Sequence, residues 1–248
     1  MPAENPDVEI FNRDANRNEG YLYTATTRLS CRLATQRTMD AILETKRFAA
    51  KSVIDLGCGD GFFTIQLWDK GQPRSIIGID PAPNAIDVAE RNKRERPIQF
   101  QVGDAHTLPF ADNSFDVALL QSVLHHDTNP PDLIREAFRL APEIVIHEPN
   151  GNNFGLKIIE KTSPYHREHA EKSYTSRQLR RWVELHGGRV VHQRFRGFVA
   201  MFSPDWLARG MKAIEPLIEG LPLVNTLGCA VVVLVAVRTG AGDMAPNK

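Results

Sequence analysis

The stretch Val53-Ile54-Asp55-Leu56-Gly57-Cys58-Gly59-Asp60-Gly61 constrains this chain more than any other. It reads as a buried strand running into a glycine turn, and the amphipathic run Phe62 to Lys70 follows at once. Glycine at every second position leaves no side chain between the backbone and whatever lies above the strand end. A helix that opens directly after such a turn offers free N–H groups and a positive dipole end, suited to a carboxylate or a phosphate. The spacing is GxGxG, whereas the dinucleotide fingerprint is GxGxxG. A glycine motif of this length is weak by itself.

Three further elements follow in order. Ser75-Ile76-Ile77-Gly78-Ile79-Asp80 is an apolar strand closing on an acid, and a carboxylate there binds ribose hydroxyls in doubly wound folds. Ile98 to Val102 is another strand, running into Gly103-Asp104-Ala105. The last is Ser114-Phe115-Asp116-Val117-Ala118-Leu119-Leu120-Gln121-Ser122-Val123-Leu124-His125-His126. Taken singly, Asp80 and Asp104 suit helix caps or turns as well as ligands. Asp116, at a strand start remote from the carboxyl ends, is read as structural.

Together these motifs resemble the class I S-adenosylmethionine-dependent methyltransferases, in particular the small-molecule group with DxGCGxG, GxD, GDA and FDxVxxxxxLHH signatures. The resemblance is specific from Val53 to His126 and looser elsewhere. It implies that Asp55, Gly57 and Gly59 line the methionine end of S-adenosylmethionine and that Asp80 holds the ribose. Asp104 and Ala105 would meet the adenine, and Gln121 would lie near the sulfonium. Cys58 and Pro81, beside the loop and the ribose acid, and Ser122, next to Gln121, complete the implied cofactor-binding set with Tyr21, from an N-terminal lid. Cys58 itself, small and set between glycines, suits packing better than reactivity. One departure is Arg139-Leu140-Ala141-Pro142-Glu143, where the family usually has Lys-Pro-Gly-Gly.

Bulk properties fit that class. The 248 residues can bury a full core. Lys plus Arg and Asp plus Glu both total 30, so no global field favours nucleic acid. Cys31, Cys58 and Cys229 have no CxxC spacing, which implies neither a zinc site nor a disulfide framework and suits a reducing cytoplasm. The longest apolar run, Cys229 to Val237, is far short of the roughly 20 residues that span a bilayer.

The alternation of strands and helices from Val53 to Pro149 predicts an α/β, doubly wound Rossmann-like sheet of seven strands, mostly parallel with an antiparallel last strand and helices on both faces. Three regions are expected: residues 1–50 as N-terminal arm and lid helix, 51–149 as the S-adenosylmethionine-binding core, and 150–248 as the acceptor-side lid and C-terminal part of the same domain. A helix is expected over Leu22 to Phe48, a sixth strand over Arg189 to Ala200, and one helix from Asp205 to Leu223. The apolar stripe of that last helix, with Trp206, Leu207, Met211, Ile214, Leu217 and Ile218, reads first as core. A pocket roof, a dimer face and a membrane-surface contact are the other readings of it.

Methyl transfer from a sulfonium is a direct displacement that needs no metal. The protein must hold the acceptor atom at roughly 3–3.5 Å from the methyl carbon. A hydroxyl acceptor also needs a base, a role that histidine suits at neutral pH. Candidates are His126, Glu148 and His125, with His147 and Glu148 on opposite sheet faces by alternation. Tyr165-His166-Arg167-Glu168-His169 falls short of the HExxH pattern and is read as a polar lid or surface, not a metal site. Tyr21 and Tyr23 are either a lid over the cofactor or packing for the arm. The expected function is methylation of a small or lipid-like acceptor, first of all at oxygen, by a protein without nucleic-acid partner or transmembrane segment and with a homodimer admitted. Two alternatives stay open, a quinone-type C-methyltransferase and a non-catalytic cofactor-binding partner. A nicotinamide dehydrogenase is disfavoured by the glycine spacing and by the lack of a Tyr-x-x-x-Lys pair.

Overall fold

A computed structural model describes residues 28–162 and 172–239, together with Glu9, Asn12, Arg13, Ala15, Tyr21 and Thr24. Tyr23 and the Tyr165–His169 segment lie outside the described residues. Seven strands form one sheet: β1 (Ser52–Leu56), β2 (Ser75–Asp80), β3 (Gln99–Val102), β4 (Val117–Gln121), β5 (Glu143–Pro149), β6 (Gly188–Arg196) and β7 (Val231–Arg238). Their order is β3-β2-β1-β4-β5-β7-β6, with β7 antiparallel to both neighbours and the β3 to β5 block parallel. The helices are α1 (Leu29–Thr45), α2 (Phe62–Gly71), α3 (Pro83–Lys93), α4 (Pro130–Leu140), α5 (Phe154–Thr162), α6 (Ser176–Leu185), α7 (Asp205–Gly220) and α8 (Val224–Gly228). The expected doubly wound sheet is therefore the observed one.

Central strands buried on both faces read as continuous apolar runs, and β4 (Val-Ala-Leu-Leu-Gln) is buried throughout. Alternation sends Ile54, Leu56, Leu120, Ile144 and Ile146 to one face, under Leu133, Ile134 and Ala137 of α4 and Leu179 and Val183 of α6. It sends Val53, Leu119, Val145 and Val233 to the other, under Met39 and Ile42 of α1 and Phe63 and Leu67 of α2. Local signals set the helix starts. Pro at the first turn opens α3 and α4, and Thr175 with Gln178 forms a reciprocal capping box for α6.

Several boundaries differ from expectation. The first long helix begins at Leu29 and stops at Thr45, ahead of Phe48. β6 ends at Arg196, because Gly197 turns to a positive φ of 74° and hands its N–H to a glutamate of α7. The expected helix from Asp205 to Leu223 breaks at Gly220 and resumes as α8. Pro222 cannot donate to a continuing helix, and Leu223 sits at φ 67°. Asp116 is structural, accepting bonds from the Ser52 N–H (2.8 Å) and hydroxyl (2.9 Å) at the amino ends of β1 and β4. Among the described residues, no helix is long and apolar enough to cross a membrane.

Candidate active site

Parallel strands deliver their carboxyl ends to one edge of the sheet, where ligands bind in such folds. The β1–α2 loop lies there. Gly57 and Gly59 both adopt positive φ, 77° and 54°. The Gly57 and Cys58 N–H groups donate to the Ile79 carbonyl at 2.8 and 3.0 Å, which straps the loop to the end of β2. A Cβ on Gly57 would stand 2.3 Å from a Val123 methyl, and one on Gly59 would stand 2.6 Å from the Tyr21 ring. The first glycine thus admits the β4 end and the second admits the N-terminal arm. Cys58 is buried between them, and burial, with the neighbouring acids, pushes its thiol well above the usual range, so it packs as a neutral group.

Asp55, the last residue but one of β1, is buried. Its Oδ2 accepts the Thr64 hydroxyl at 2.6 Å, and its Oδ1 has no hydrogen-bond partner among the described residues. Burial pushes its pKa up to about 7, against the Thr64 bond and with help from nearby Asp80. Asp80, at the end of β2, accepts Gly59 N–H on Oδ2 and Ala82 N–H on Oδ1, both at 2.9 Å. Burial raises it to about 6 despite those bonds. Two buried acids facing a glycine loop, one with an orphaned oxygen, form a site that a cationic ligand with hydroxyls would satisfy. Pro81 joins Asp80 to this turn.

Asp104, after β3, is exposed and caps its own turn through His106 N–H at 2.9 Å, with Ala105 buried beside it. His106 Nε2 in turn lies 2.9 Å from Asp127 Oδ2, joining the β3 end to the segment after β4. That bond raises the His106 pKa.

At the β4 and β5 ends the side chains divide by face. Gln121 Nε2 donates to Ser122 Oγ at 3.0 Å, and Ser122, itself at φ 55°, lies 3.2 Å from His147 Nδ1. His147 is buried, its Nε2 has no partner among the described residues, and burial lowers its pKa to about 4. On the opposite face Glu148 is fully buried. Its Oε1 accepts Val123 and Leu124 N–H at 3.0 and 2.8 Å, and its Oε2 lies 2.6 Å from His125 Nδ1. His125 and half-buried His126 form a 3-10 turn over Leu124–His126, their ring centroids 3.9 Å apart. Tyr174 packs edge-on against Trp182 at 4.6 Å, and its pKa is raised first by burial and then by the charges of Glu148 and Asp127.

Three comparisons bear on this geometry. Residues 54–143 match the family described as a methyltransferase domain. That stretch is similar to a methyltransferase domain, and it holds the glycine loop, both buried acids and the turn after β4. The demethylmenaquinone methyltransferase of Thermotoga maritima is 31% identical over 153 residues, covering 62% of this chain and 60% of that protein. An uncharacterized protein of transposon TN4556 from Streptomyces fradiae is 33% identical over 129 residues, covering 49% of this chain and 37% of its own length. The chain thus spans less than two thirds of either curated relative. The fold matches an S-adenosylmethionine-dependent methyltransferase of T. maritima, termed a possible histamine N-methyltransferase, with a TM-score of 0.67 at 21% identity, over 94% of this chain and 100% of that one.

Within the matched stretch, sequence reasoning passed over Asp60. It is buried and accepts Tyr21 N–H (2.9 Å) and the Thr24 hydroxyl (2.7 Å) on Oδ2, and Phe62 N–H (3.1 Å) on Oδ1. The helix-start acid therefore also tethers the N-terminal arm across the glycine loop. Its position two residues before the first helical N–H was the available signal. His106, Asp127 and Tyr174 carried no comparable pattern. Among the described residues, no three His, Cys, Asp or Glu side chains gather as a metal site.

Proposed function

We propose that the chain transfers a methyl group from S-adenosylmethionine to a hydroxyl of a small or lipid-like acceptor. The observation that carries this reading is the His125–Glu148 pair, set beside the glycine loop through Val123. S-adenosylmethionine, when bound, supplies an electrophilic methyl group on a sulfonium. Asp55 and Asp80 would hold its cationic and hydroxyl groups, Gly57 and Gly59 would let the backbone close on it, and Asp104 and Ala105 would face the base. Gln121, steadied by Ser122 and His147, would line the reacting end, and Tyr21 would close over the loop.

The acceptor oxygen forms its bond to the methyl carbon as the sulfonium bond breaks, and the hydroxyl proton must leave. Glu148 suits a positioning role better than that of the base, since its oxygens already serve two backbone N–H groups and one imidazole. By accepting a hydrogen bond from Nδ1–H of His125 it would leave Nε2 as the basic nitrogen, the arrangement that general-base histidines need. His126, whose ring lies tilted against that one, is the companion candidate. A second reading, C-methylation of a quinone-type acceptor, is supported by the T. maritima relative named for demethylmenaquinone.

Calorimetric titration with S-adenosylhomocysteine and NADH tests the cofactor, and an acceptor panel of phenols and hydroquinones tests the transfer. Asp80→Ala is expected to weaken S-adenosylhomocysteine at least about tenfold, the loss of a charge-assisted contact. His125→Ala is expected to cut turnover while that affinity holds. Methoxy products would support the first reading and ring-methyl products the second. Preference for NADH would overturn both.

A further inference from the structure

Beneath α1 and α2 the sheet face is apolar, with Val53, Leu119, Val145 and Val233 on β1, β4, β5 and β7. Alternation puts Asp55, Gln121 and His147 next on that same face, at the carboxyl ends of β1, β4 and β5. His147 stands in register with Gln121 on one side and with Val233 on the other. Ser122 completes the group. Its backbone holds a φ of 55°, a costly setting for a residue with a Cβ, and donates N–H to the His147 carbonyl at 2.7 Å. With Gln121 Nε2 donating to Ser122 Oγ at 3.0 Å, and that Oγ 3.2 Å from His147 Nδ1, one complete arrangement of hydrogens remains. The serine hydrogen goes to Nδ1, because the other tautomer would leave it without an acceptor among the described residues. His147 then carries its own hydrogen on Nε2, and burial, which lowers its pKa to about 4, keeps the ring neutral. That N–H has no partner among the described residues, on a side chain whose residue is only 2% exposed. A buried donor left so costs about 1–3 kcal/mol.

We propose that His147 binds the methyl acceptor, donating from Nε2 to an oxygen other than the one that is methylated. Calling the bound molecule a methyl acceptor rests on the methyl-transfer reading, whereas the oxygen contact does not. The glycine loop, Asp55 and Asp80 belong to β1 and β2, and β5 lies beyond β4 from them. Asp55 and His147 are thus two strands apart, about 10 Å at ordinary strand spacing, so the ammonium that would satisfy the one does not reach the other. A donor aimed at the reacting oxygen would occupy a lone pair needed for attack on the methyl carbon. The contact therefore belongs to a second oxygen. A carbonyl, ether or hydroxyl oxygen accepts from Nε2–H, and a protonated amine has no lone pair to offer. His125 and Glu148 come to the strand ends from the opposite face. Between them the two imidazoles select an acceptor with two oxygens, one that gives up a proton and one that receives a hydrogen bond.

Calorimetric titration of the S-adenosylhomocysteine complex with phenol, catechol, resorcinol and hydroquinone tests this. The last three carry a second oxygen at increasing distance from the first. At least one of them is expected to bind the wild-type complex about fivefold or more tighter than phenol, which leaves the donor unpaired. His147→Asn keeps an oxygen for Ser122 near the Nδ1 position and removes the inner donor. It is expected to abolish the preference while S-adenosylhomocysteine affinity holds. His147→Gln returns an N–H near the Nε2 position and is expected to restore most of the preference. Nitrogen-15 NMR of the free protein is expected to show the Nε2–H tautomer of His147. The proposal is overturned by equal affinity for phenol and all three diphenols, by a preference that survives in His147→Asn or fails to return in His147→Gln, by weaker S-adenosylhomocysteine binding in His147→Asn, or by the Nδ1–H tautomer. A His147-dependent preference without methylation of any isomer would leave the oxygen contact standing and remove the methyl-transfer reading. Methylation without such a preference would do the reverse.

Discussion

Asp55 and Asp80 were legible as acids near the ends of apolar strands beside a glycine turn, where a cap or turn role stood open as well as a ligand role. Their charge state was not, since it depends on burial that only the packed sheet creates. Burial holds Asp55 up to about 7 and Asp80 up to about 6, while the unfolded chain ionises both near 3.8. The folded, ligand-free protein therefore binds protons that the unfolded chain has released. These two acids lower its stability progressively as pH rises from about 4 to about 7. Asp55→Asn removes the larger part of that burden. We expect it to stabilise the free protein at pH 8 by roughly 2–4 kcal/mol, read from urea unfolding, at about 1.4 kcal/mol per pKa unit. The same change should weaken S-adenosylhomocysteine. It should also flatten a pH dependence in which wild-type affinity rises from below pH 6 to above pH 7, as the acids ionise against the ligand ammonium. Unaltered stability of the Asp55→Asn protein at both ends of that range would show that Asp55 is ionised in the free protein.

At the scale of elements, the glycine turn was readable from spacing, and the reason for each glycine was not. Gly57 clears Val123 from the β4 end, 66 positions along the chain, so no local pattern announces it. Gly57→Ala meets both a left-handed backbone and a methyl 2.3 Å away, and should cost about 2 kcal/mol or more of stability. Gly61→Ala is not an equivalent control, because Ala89 and Phe100 crowd it as well. Gly187→Ala is a better one, for that glycine shares the positive φ and has open space around it. A smaller loss there, from backbone strain alone, separates the two causes. The arm followed the same logic: an aspartate reads locally as a turn former, but Asp60 holds Tyr21 and Thr24 from a distant segment. Asp60→Ala should leave the sheet intact and expose the chain ahead of Leu29 to trypsin several times faster, with weaker S-adenosylhomocysteine binding if Tyr21 closes the site. Unchanged cleavage would show that the arm is held by its apolar contacts with Ala82 and Ala85.

For the whole molecule, the stripe of Trp206, Ile214 and Leu217 read as core because apolar periodicity alone cannot say which way a helix is turned. They face outward, Trp206 at 72% exposed, because Glu215 and Glu219 of the same helix turn inward to partners elsewhere in the chain, the backbone of Phe198 and Gly197 and above all Arg37 of α1. Arg37 is nearly buried and holds Glu44 at 2.7 Å as well as Glu219, so one cation joins the first helix to α7 across the outer part of the sheet. A buried pair of this kind adds little over an apolar replacement of both partners, yet removing one partner strands a charge at a cost of about 3–5 kcal/mol. Arg37→Met should therefore destabilise in urea unfolding, by less than that full cost because Arg196, 3.7 Å from Glu219, remains as a weaker counter-ion. Adding Glu219→Gln should recover much of the loss, a coupling that independent sites would not show. The two variants also separate orientation from stability. If the ion pair sets the roll of α7, Arg37→Met lets the helix rotate its apolar residues inward, and Trp206 loses its exposure to a soluble fluorescence quencher. A cost below about 1 kcal/mol, with Trp206 as exposed as before, would assign the roll of α7 to the Gly197 and Phe198 contacts instead.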